Sequence, residues 1–230
     1  MKSLHESLLD DEDDVIDNVN TKPLVEKWCK ENNIANYRLQ EDENGLFVIN
    51  VKGSIMLYGY KEEELPSYIQ FGRVTGKFSV YKSNFTTLKG FPKSVGIIFL
   101  VECNMLRSLE YFPKEVTGKI LLSNLNIESL EGLPKKAKDL SIQECHKLQN
   151  LKGCPLTIGG SFNCSDCGGL KSLKGCPMTI MGSFDCSNCK NLKSLKYGPK
   201  EVRRNFICWK CGLSKSPLYT NVLGMTQIID

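Results

Sequence analysis

The chain has 230 residues, of which 41% are hydrophobic and 24% are charged, with a net charge of +4 at neutral pH. This apolar content is enough for a real core in one large domain or two small ones. No run of apolar residues is long enough to cross a membrane, so we expect no membrane-spanning helix. The chain has only two histidines, His5 and His146, and no motif surrounds either. We therefore expect a protein that is not an enzyme and needs no cofactor.

Residues 1–20 are an acidic leader. The first 17 residues hold seven acidic side chains and one lysine, whereas the remainder carries 29 basic and 19 acidic residues. Such an acidic segment either covers the basic remainder of the same chain or is a solvated tail. Ser3-x-x-Glu6 resembles a capping box, and so short a helix either docks on a partner or frays. An acidic start is unlike a secretory signal, so we expect a cytoplasmic protein with mostly free thiols.

Residues 21–53 predict a small N-terminal cap. Thr21 and Pro23 are typical of a helix start. Two alternating apolar segments then flank the dipeptide Asn44-Gly45, which predicts a β-hairpin. We expect this helix–hairpin unit to lie over the first coil of the repeat that follows.

Residues 54–212 contain an internal repeat marked by prolines. Successive prolines are 21, 21, 21, 22 and 22 residues apart, at Pro92, Pro113, Pro134, Pro155, Pro177 and Pro199. A unit of this length with leucines at fixed offsets is typical of leucine-rich repeats. We predict a leucine-rich-repeat-like solenoid of about seven coils of 21–22 residues. It has a parallel β-sheet, one short strand per coil and mostly irregular return segments, and residues 213–230 cap its C-terminal end.

The repeat offers an explanation for the Cys-x-x-Cys pairs other than a metal. Cys164, Cys167, Cys186 and Cys189 have the spacing of a four-cysteine zinc site. At the repeat position of the first cysteine, however, successive coils have Val80, Val101, Leu122, Ile142, Cys164, Cys186 and Cys208. At the position of the second cysteine they have Ser83, Asn104, Leu125, Cys145, Cys167, Cys189 and Cys211. We call these two sets of aligned positions the first and the second cysteine column. Because cysteine behaves as a small hydrophobe in such a column, packing is favoured over zinc. A redox dithiol is disfavoured, since no βαβ pattern accompanies the pairs.

The order of cap and coils resembles a group of leucine-rich-repeat-like proteins of bacteriophages, prophages and gut bacteria. The resemblance covers roughly residues 22–212. It is carried by VEKWCKENNIANYRL, VKGSIML, LPSYIQFGRVTGKF and the repeat F-x-C-S-x-C/N-x-x-L-x-S-L-x-G-x-P. It implies a solenoid in a phage or bacterial cytoplasmic setting, and it implies no activity. The coils at 98–138 depart from the pattern, because apolar residues stand where polar ones are expected outside.

Outward strand positions predict a protein-binding surface. Its residues are Met56, Tyr58, Tyr81, Leu100 and Leu121, together with Trp209 in the last coil. An exposed apolar patch with aromatic residues is typical of a protein interface. The alternative is that the N-terminal cap or a second copy of the chain covers it. We expect an unidentified protein partner, as for an inhibitor or adaptor of a host protein.

Lysines at two repeat positions predict a basic ridge in the C-terminal half. They are Lys152, Lys174 and Lys196 at one position, and Lys171 and Lys193 at the other. Such a ridge either holds nucleic-acid phosphates through a salt-sensitive attraction or keeps the solenoid soluble. Nucleic acid is therefore the alternative partner, and a zinc protein using the cysteine pairs is the more remote one.

Overall fold

The computed structural model of the chain describes residues 19–213 and 226–227. The acidic segment 1–17 with its predicted short helix lies outside the described residues, as does most of the predicted C-terminal cap. Within the described part, the chain forms one helix and sixteen β-strands.

The elements fall into three groups. The N-terminal group is α1 (Lys22–Glu31), β1 (Tyr37–Glu41) and β2 (Phe47–Val51). The main stack is β3 (Ile55–Tyr58), β4 (Phe71–Tyr81), β5 (Ser94–Val101), β7 (Lys119–Ser123), β9 (Asp139–Gln143), β11 (Phe162–Asn163), β13 (Phe184–Asp185), β15 (Phe206–Ile207) and β16 (Thr226–Gln227). The third group consists of five two-residue strands that alternate with the main stack in the sequence: β6 (Glu115–Val116), β8 (Lys136–Ala137), β10 (Thr157–Ile158), β12 (Thr179–Ile180) and β14 (Glu201–Val202).

The N-terminal group is the helix and hairpin that the sequence predicts. Trp28 of α1 is buried and packs edge-on against Phe71, with ring centroids 6.0 Å apart. Strands β1 and β2 are antiparallel, and Gly45 between them has φ +75°, which glycine adopts without steric cost. Strand β2 then runs parallel to β4, with Ile49 opposite Phe71. The hairpin therefore extends the solenoid sheet at its N-terminal end, and α1 packs on the same core.

The remainder is a parallel β-solenoid of about seven turns, which confirms the predicted fold class. From β4 to β16 the stacked strands follow one another in chain order, and β3 adds to β4. Since no coil can bury its apolar face alone, the stack shares one continuous core. No helix among the described residues has the length and apolar composition needed to cross a membrane.

Most coils contain a second short strand that the sequence did not predict. Strands β4 and β5 cover eleven and eight residues, whereas the later coils divide the same stretch into two shorter strands. The two-residue strands β8, β10, β12 and β14 form a second parallel sheet of four strands. Their second residue points into the core at every coil: Ala137, Ile158, Ile180 and Val202 are buried.

Each coil gives the same positions to the core. The first inward strand position is buried throughout, as Phe78, Ile98, Ile120, Leu140, Phe162, Phe184 and Phe206. The last three phenylalanines pack against one another, with ring centroids 5.4 and 5.1 Å apart. A leucine of each return segment closes the core opposite, at Leu88, Leu109, Leu130, Leu151, Leu173 and Leu195.

Candidate functional site

The apolar part of the outer strand surface lies across β3, β4, β5 and β7. The strand register puts Met56, Ser79, Phe99 and Leu121 in one row across these strands, and Tyr58, Tyr81 and Val101 in the next. Neighbours within a row are about 4.8 Å apart, the spacing of paired strands. These seven residues form what we call the N-terminal strand face.

Large side chains on this face are open to solvent. Met56 and Tyr58 are 64% and 65% exposed, and Tyr81, Phe99, Val101 and Leu121 are partly exposed. Their backbones belong to hydrogen-bonded strands, so the side chains stand on a rigid support. Contiguous exposed apolar groups of this kind mark interaction surfaces more often than ordinary protein surface.

Leu100, which the sequence placed on this face, lies in the core and is 1% exposed. The prediction put Val101 in line with Val80, but the structure places Leu100 opposite Val80. Because side chains alternate along a strand, a one-residue error in register exchanges inside and outside. Phe99 and Val101 therefore take the outward positions, and Leu100 takes the core position that had been assigned to Val101.

A buried hydroxyl lies within the N-terminal strand face. Ser79 stands between Met56 and Phe99 in the register and is only 1% exposed. Its Oγ makes no hydrogen bond within the described part of the chain. A buried hydroxyl without a partner costs about 1–3 kcal/mol. The face thus contains an unsatisfied polar atom that is closed off from solvent.

Charge is unevenly placed around the face. On one side, Lys77 Nζ lies 5.1 Å from the centroid of the Phe99 ring, and Lys119 is exposed two strands along. On the other side, Lys82 Nζ pairs with a Glu102 carboxylate oxygen at 3.8 Å. The side with Lys77 and Lys119 is thus basic, and the opposite side carries a compensated pair.

Trp209, the sixth residue predicted for the site, lies apart from the N-terminal strand face. It follows β15, four strands beyond β7, which is about 19 Å at about 4.8 Å per strand. The outward positions between them are polar: Ser141, Gln143, Asn163, Ser165, Asp185 and Ser187. Trp209 is 40% exposed, and Lys210 Nζ lies 4.9 Å from its ring centroid.

The predicted basic ridge lies in the return segments and not on the strand face. All five lysines are exposed: Lys152, Lys171, Lys174, Lys193 and Lys196. Lys152 Nζ pairs with Glu131 at 2.9 Å, and Lys196 Nζ lies 5.0 Å from the ring centroid of Tyr197. Since Trp209 is on the strand side, it offers these lysines no adjacent stacking platform, and nucleic-acid binding stays a prediction.

The second cysteine column is a ladder of thiol hydrogen bonds. Each thiol donates to the carbonyl of the first-column residue one coil earlier: Cys103 to Val80 at 3.8 Å, Cys145 to Leu122 at 4.0 Å, Cys167 to Ile142 at 3.4 Å, Cys189 to Cys164 at 3.3 Å and Cys211 to Cys186 at 3.1 Å. The second-column cysteines therefore bond the backbone of the neighbouring coil as well as packing in the core. The prediction of Asn104 in this column is wrong; Cys103 holds the place because of the same register shift.

Burial keeps the inner thiols protonated. Desolvation raises the pKa of Cys145 and of Cys189 to about 12, and it raises the pKa of Cys164 and Cys167 as well. Since the thiolate is the form that binds metals, these inner cysteines are poor ligands. They act as hydrogen-bonding core residues.

The last coil brings three sulfurs together. In the described part of the chain, Cys186, Cys208 and Cys211 are the group of metal-ligating side chains whose ligand atoms lie within 4.8 Å of one another. Cys186 and Cys208 are buried, and Cys211 is partly exposed. Hydrogen bonds from the thiols of Cys186 and Cys208 lower the pKa of Cys211, whereas the hydrogen bonds with Cys211 and burial raise the pKa of Cys186 and of Cys208, so an ion must displace the protons of these two thiols. Of the predicted zinc set, only Cys186 belongs to this group.

Comparisons with protein-family models, with curated proteins and with solved structures found no match. The function is therefore argued from the two features that the geometry singles out, the N-terminal strand face and the sulfur group of the last coil. Sequence reasoning missed Phe99 and Val101 because the stretch Ile97–Val101 is apolar at every position. The neighbouring Cys103 carried the signal that could have corrected the register.

Proposed function

We propose that the chain is a non-enzymatic binding module that holds a protein partner on the N-terminal strand face. The observation that carries this proposal is the group of exposed and half-exposed apolar and aromatic side chains that spans four hydrogen-bonded strands in two rows, the first of which is interrupted by the buried Ser79. The aromatic rings of Tyr58, Tyr81 and Phe99 are the residue types that dominate binding energy at protein interfaces. Rigid strands also reduce the entropy lost when the surface binds.

The surface favours a partner of a particular chemistry. Apolar side chains of the partner cover Met56, Phe99 and Leu121. Partner carboxylates face Lys77 and Lys119, because opposite charges at a rim speed association and fix orientation. A second copy of the chain fits less well, since its own strand face is basic on the same side.

We further propose that this partner is a host protein in the bacterial cytoplasm, which the module inhibits or recruits. This part rests on the resemblance to leucine-rich-repeat-like proteins of phages and gut bacteria. A binding module of this kind inhibits by covering a surface, and therefore needs no catalytic group.

The experiment is capture from a bacterial lysate by the full chain, followed by affinity measurement with the purified partner. Leu121→Asp places a charge in the apolar row and should weaken binding at least about 30-fold, which corresponds to roughly 2 kcal/mol. Asn163→Asp is the matched control, because it adds the same charge in the same row on a strand of the polar half. The next coil already carries Asp185 at that position.

Support requires that Leu121→Asp abolishes capture of a specific protein while Asn163→Asp preserves it. Equal capture by both variants contradicts the proposed face. The proposal is also contradicted if the wild-type chain elutes as a dimer and the Leu121→Asp variant elutes as a monomer. Salt-sensitive binding of duplex DNA, lost in Lys174→Glu with Lys196→Glu and accompanied by no protein capture, would favour the nucleic-acid alternative.

A further inference from the structure

We propose that Cys186, Cys208 and Cys211 form a three-sulfur site for a soft, thiolate-preferring cation, Zn²⁺ or Cu⁺. The three Sγ atoms lie within 4.8 Å of one another, and the Sγ atoms of Cys208 and Cys211 are 2.9 Å apart. Sulfurs bound to one such ion at about 2.3 Å stand about 3.8 Å apart in tetrahedral geometry. Small side-chain movements therefore suffice to place an ion among them.

The convergence belongs to the last coil and not to the repeat. Cys164, Cys186 and Cys189 occupy the same three column positions one coil earlier. Their sulfurs do not form such a group among the described residues. The backbone bond is common to both triads, since the Cys189 thiol bonds the Cys164 carbonyl oxygen at 3.3 Å and the Cys211 thiol bonds the Cys186 carbonyl oxygen at 3.1 Å. Two chemically identical triads in the same register thus differ in geometry, which packing of the repeat alone does not explain.

Access also distinguishes the two triads. Cys164, Cys186 and Cys189 are all buried, so an ion has no route to them without opening the core. In the last coil, Cys211 is partly exposed and lies at the surface end of the group. An ion can therefore enter beside Cys211 and be held from below by the buried sulfurs of Cys186 and Cys208.

The ligand set determines the class of ion. Soft thiolate ligands select Cu⁺ and Zn²⁺ over harder divalent ions. Three sulfurs satisfy Cu⁺, whereas Zn²⁺ completes a tetrahedron with a water molecule or a group of a partner. Binding transfers up to three protons from the thiols to solvent, so affinity falls as pH falls.

Such a site joins two coils. Cys186 follows β13, whereas Cys208 and Cys211 follow β15, so a bound ion ties the last coil to the preceding one. The open end of a solenoid needs a cap because it otherwise exposes core. A metal there would stabilise the end of the stack, independently of what binds to the N-terminal strand face.

The test uses the reduced, metal-free full chain under anaerobic conditions, with two separate arms. In the zinc arm, Co²⁺ serves as the spectroscopic probe and is displaced by Zn²⁺. In the copper arm, Cu⁺ is supplied from a chromophoric chelator. We expect one equivalent of Zn²⁺ or Cu⁺ bound, a thiolate-to-cobalt charge-transfer band if zinc is the ion, and a rise in Tm on loading.

Matched variants locate the ion. Cys208→Val removes a ligand but keeps an apolar residue in the core column, and Cys164→Val makes the same change in an inner coil. Likewise, Cys211→Ser is paired with Cys189→Ser. We expect the changes at Cys208 and Cys211 to weaken binding at least 100-fold, and those at Cys164 and Cys189 to preserve it.

Failure to bind either ion at equimolar concentration overturns the proposal. Equal loss in the inner and outer variants overturns it too, because the ion would then bind non-specifically. The proposal is also overturned if the chain isolated under reducing conditions contains a Cys208–Cys211 disulfide and takes up no metal, which would make the pair a redox couple.

Discussion

The two halves of the solenoid use the same coil with different side chains. The coils of β3, β4, β5 and β7 have cores filled largely by aliphatic and phenylalanine side chains, strands of four to eleven residues and mostly apolar outward residues. The coils of β11, β13 and β15 have thiols in the core and strands of two residues. The outward residues of β11 and β13 are polar, Asn163 and Asp185. One repeat thus presents an exposed apolar surface in one half and a short, hydrogen-bonded turn in the other.

In β11 and β13 the outward residue favours a short strand. Asn163 Oδ1 accepts a hydrogen bond from the Ser165 backbone N–H at 2.7 Å, and Asp185 Oδ1 accepts one from Ser187 at 2.9 Å. A side chain that bonds the backbone two residues on competes with the strand ladder and favours a turn. Phe99 and Leu121 have no such acceptor, so β5 and β7 continue to Val101 and Ser123.

The buried thiols make the C-terminal half sensitive to alkaline pH. Burial raises the pKa of Cys145 and Cys189 from 9.0 to about 12. The stabilisation is complete below pH 9, where both the folded and the unfolded chain keep these protons. It is lost as pH rises towards 12, since only the unfolded chain releases them. Each buried thiol should remove up to about 1.4 kcal/mol per pH unit.

Urea unfolding midpoints at pH 8 and pH 10 measure this loss. Cys164→Val is the matched variant, because valine occupies the same core column at Val80 and does not titrate. The variant should lose about 1 kcal/mol less than the wild type between the two pH values. An identical loss in both proteins would mean that the buried thiols do not carry the pH dependence.

Removing the turn acceptor should give a smaller effect. Asp185→Ala leaves the Ser187 N–H without its side-chain partner and should cost about 1 kcal/mol in the free energy of unfolding. Asp185→Asn keeps an acceptor oxygen, as Asn163 does in the preceding coil, and should be nearly neutral. Urea denaturation of the three proteins decides the matter; equal destabilisation by both substitutions would show that the charge, and not the hydrogen bond, stabilises the turn.

Much of the fold was predictable because the repeat constrains it. Regular prolines and leucines indicated a stack of coils, and Asn44-Gly45 indicated the hairpin. The apolar row was found in part, at Met56, Tyr58, Tyr81 and Leu121. The error at Leu100 has a local cause. In the register of β4 and β5, the residue opposite Val80 is one position earlier in the sequence than the proline spacing implies. Because the side chains on both faces of β5 are apolar, the sequence does not show which face is buried.

Other features depend on geometry that a sequence pattern does not carry. The two-residue strands of the second sheet are too short to leave a periodic signal. The sulfur group of the last coil was not predictable, because Cys164, Cys186 and Cys189 have the same pattern one coil earlier. Only the positions of the sulfur atoms distinguish the two sets.

The register of β5 is the central claim, since it defines both the core and the N-terminal strand face. Adjacent substitutions test it most directly, by thermal unfolding followed with circular dichroism. Leu100→Asp puts into the core a carboxyl group that is either an unpaired charge or a neutralised acid without hydrogen-bond partners. This should remove much of the roughly 5–15 kcal/mol that stabilises a typical domain, so the cooperative transition should disappear or shift far below that of the wild type. Phe99→Asp puts the same charge on the outer surface and should keep a transition close to that of the wild type. A folded Leu100→Asp protein beside an unfolded Phe99→Asp protein would contradict the register and the surface derived from it.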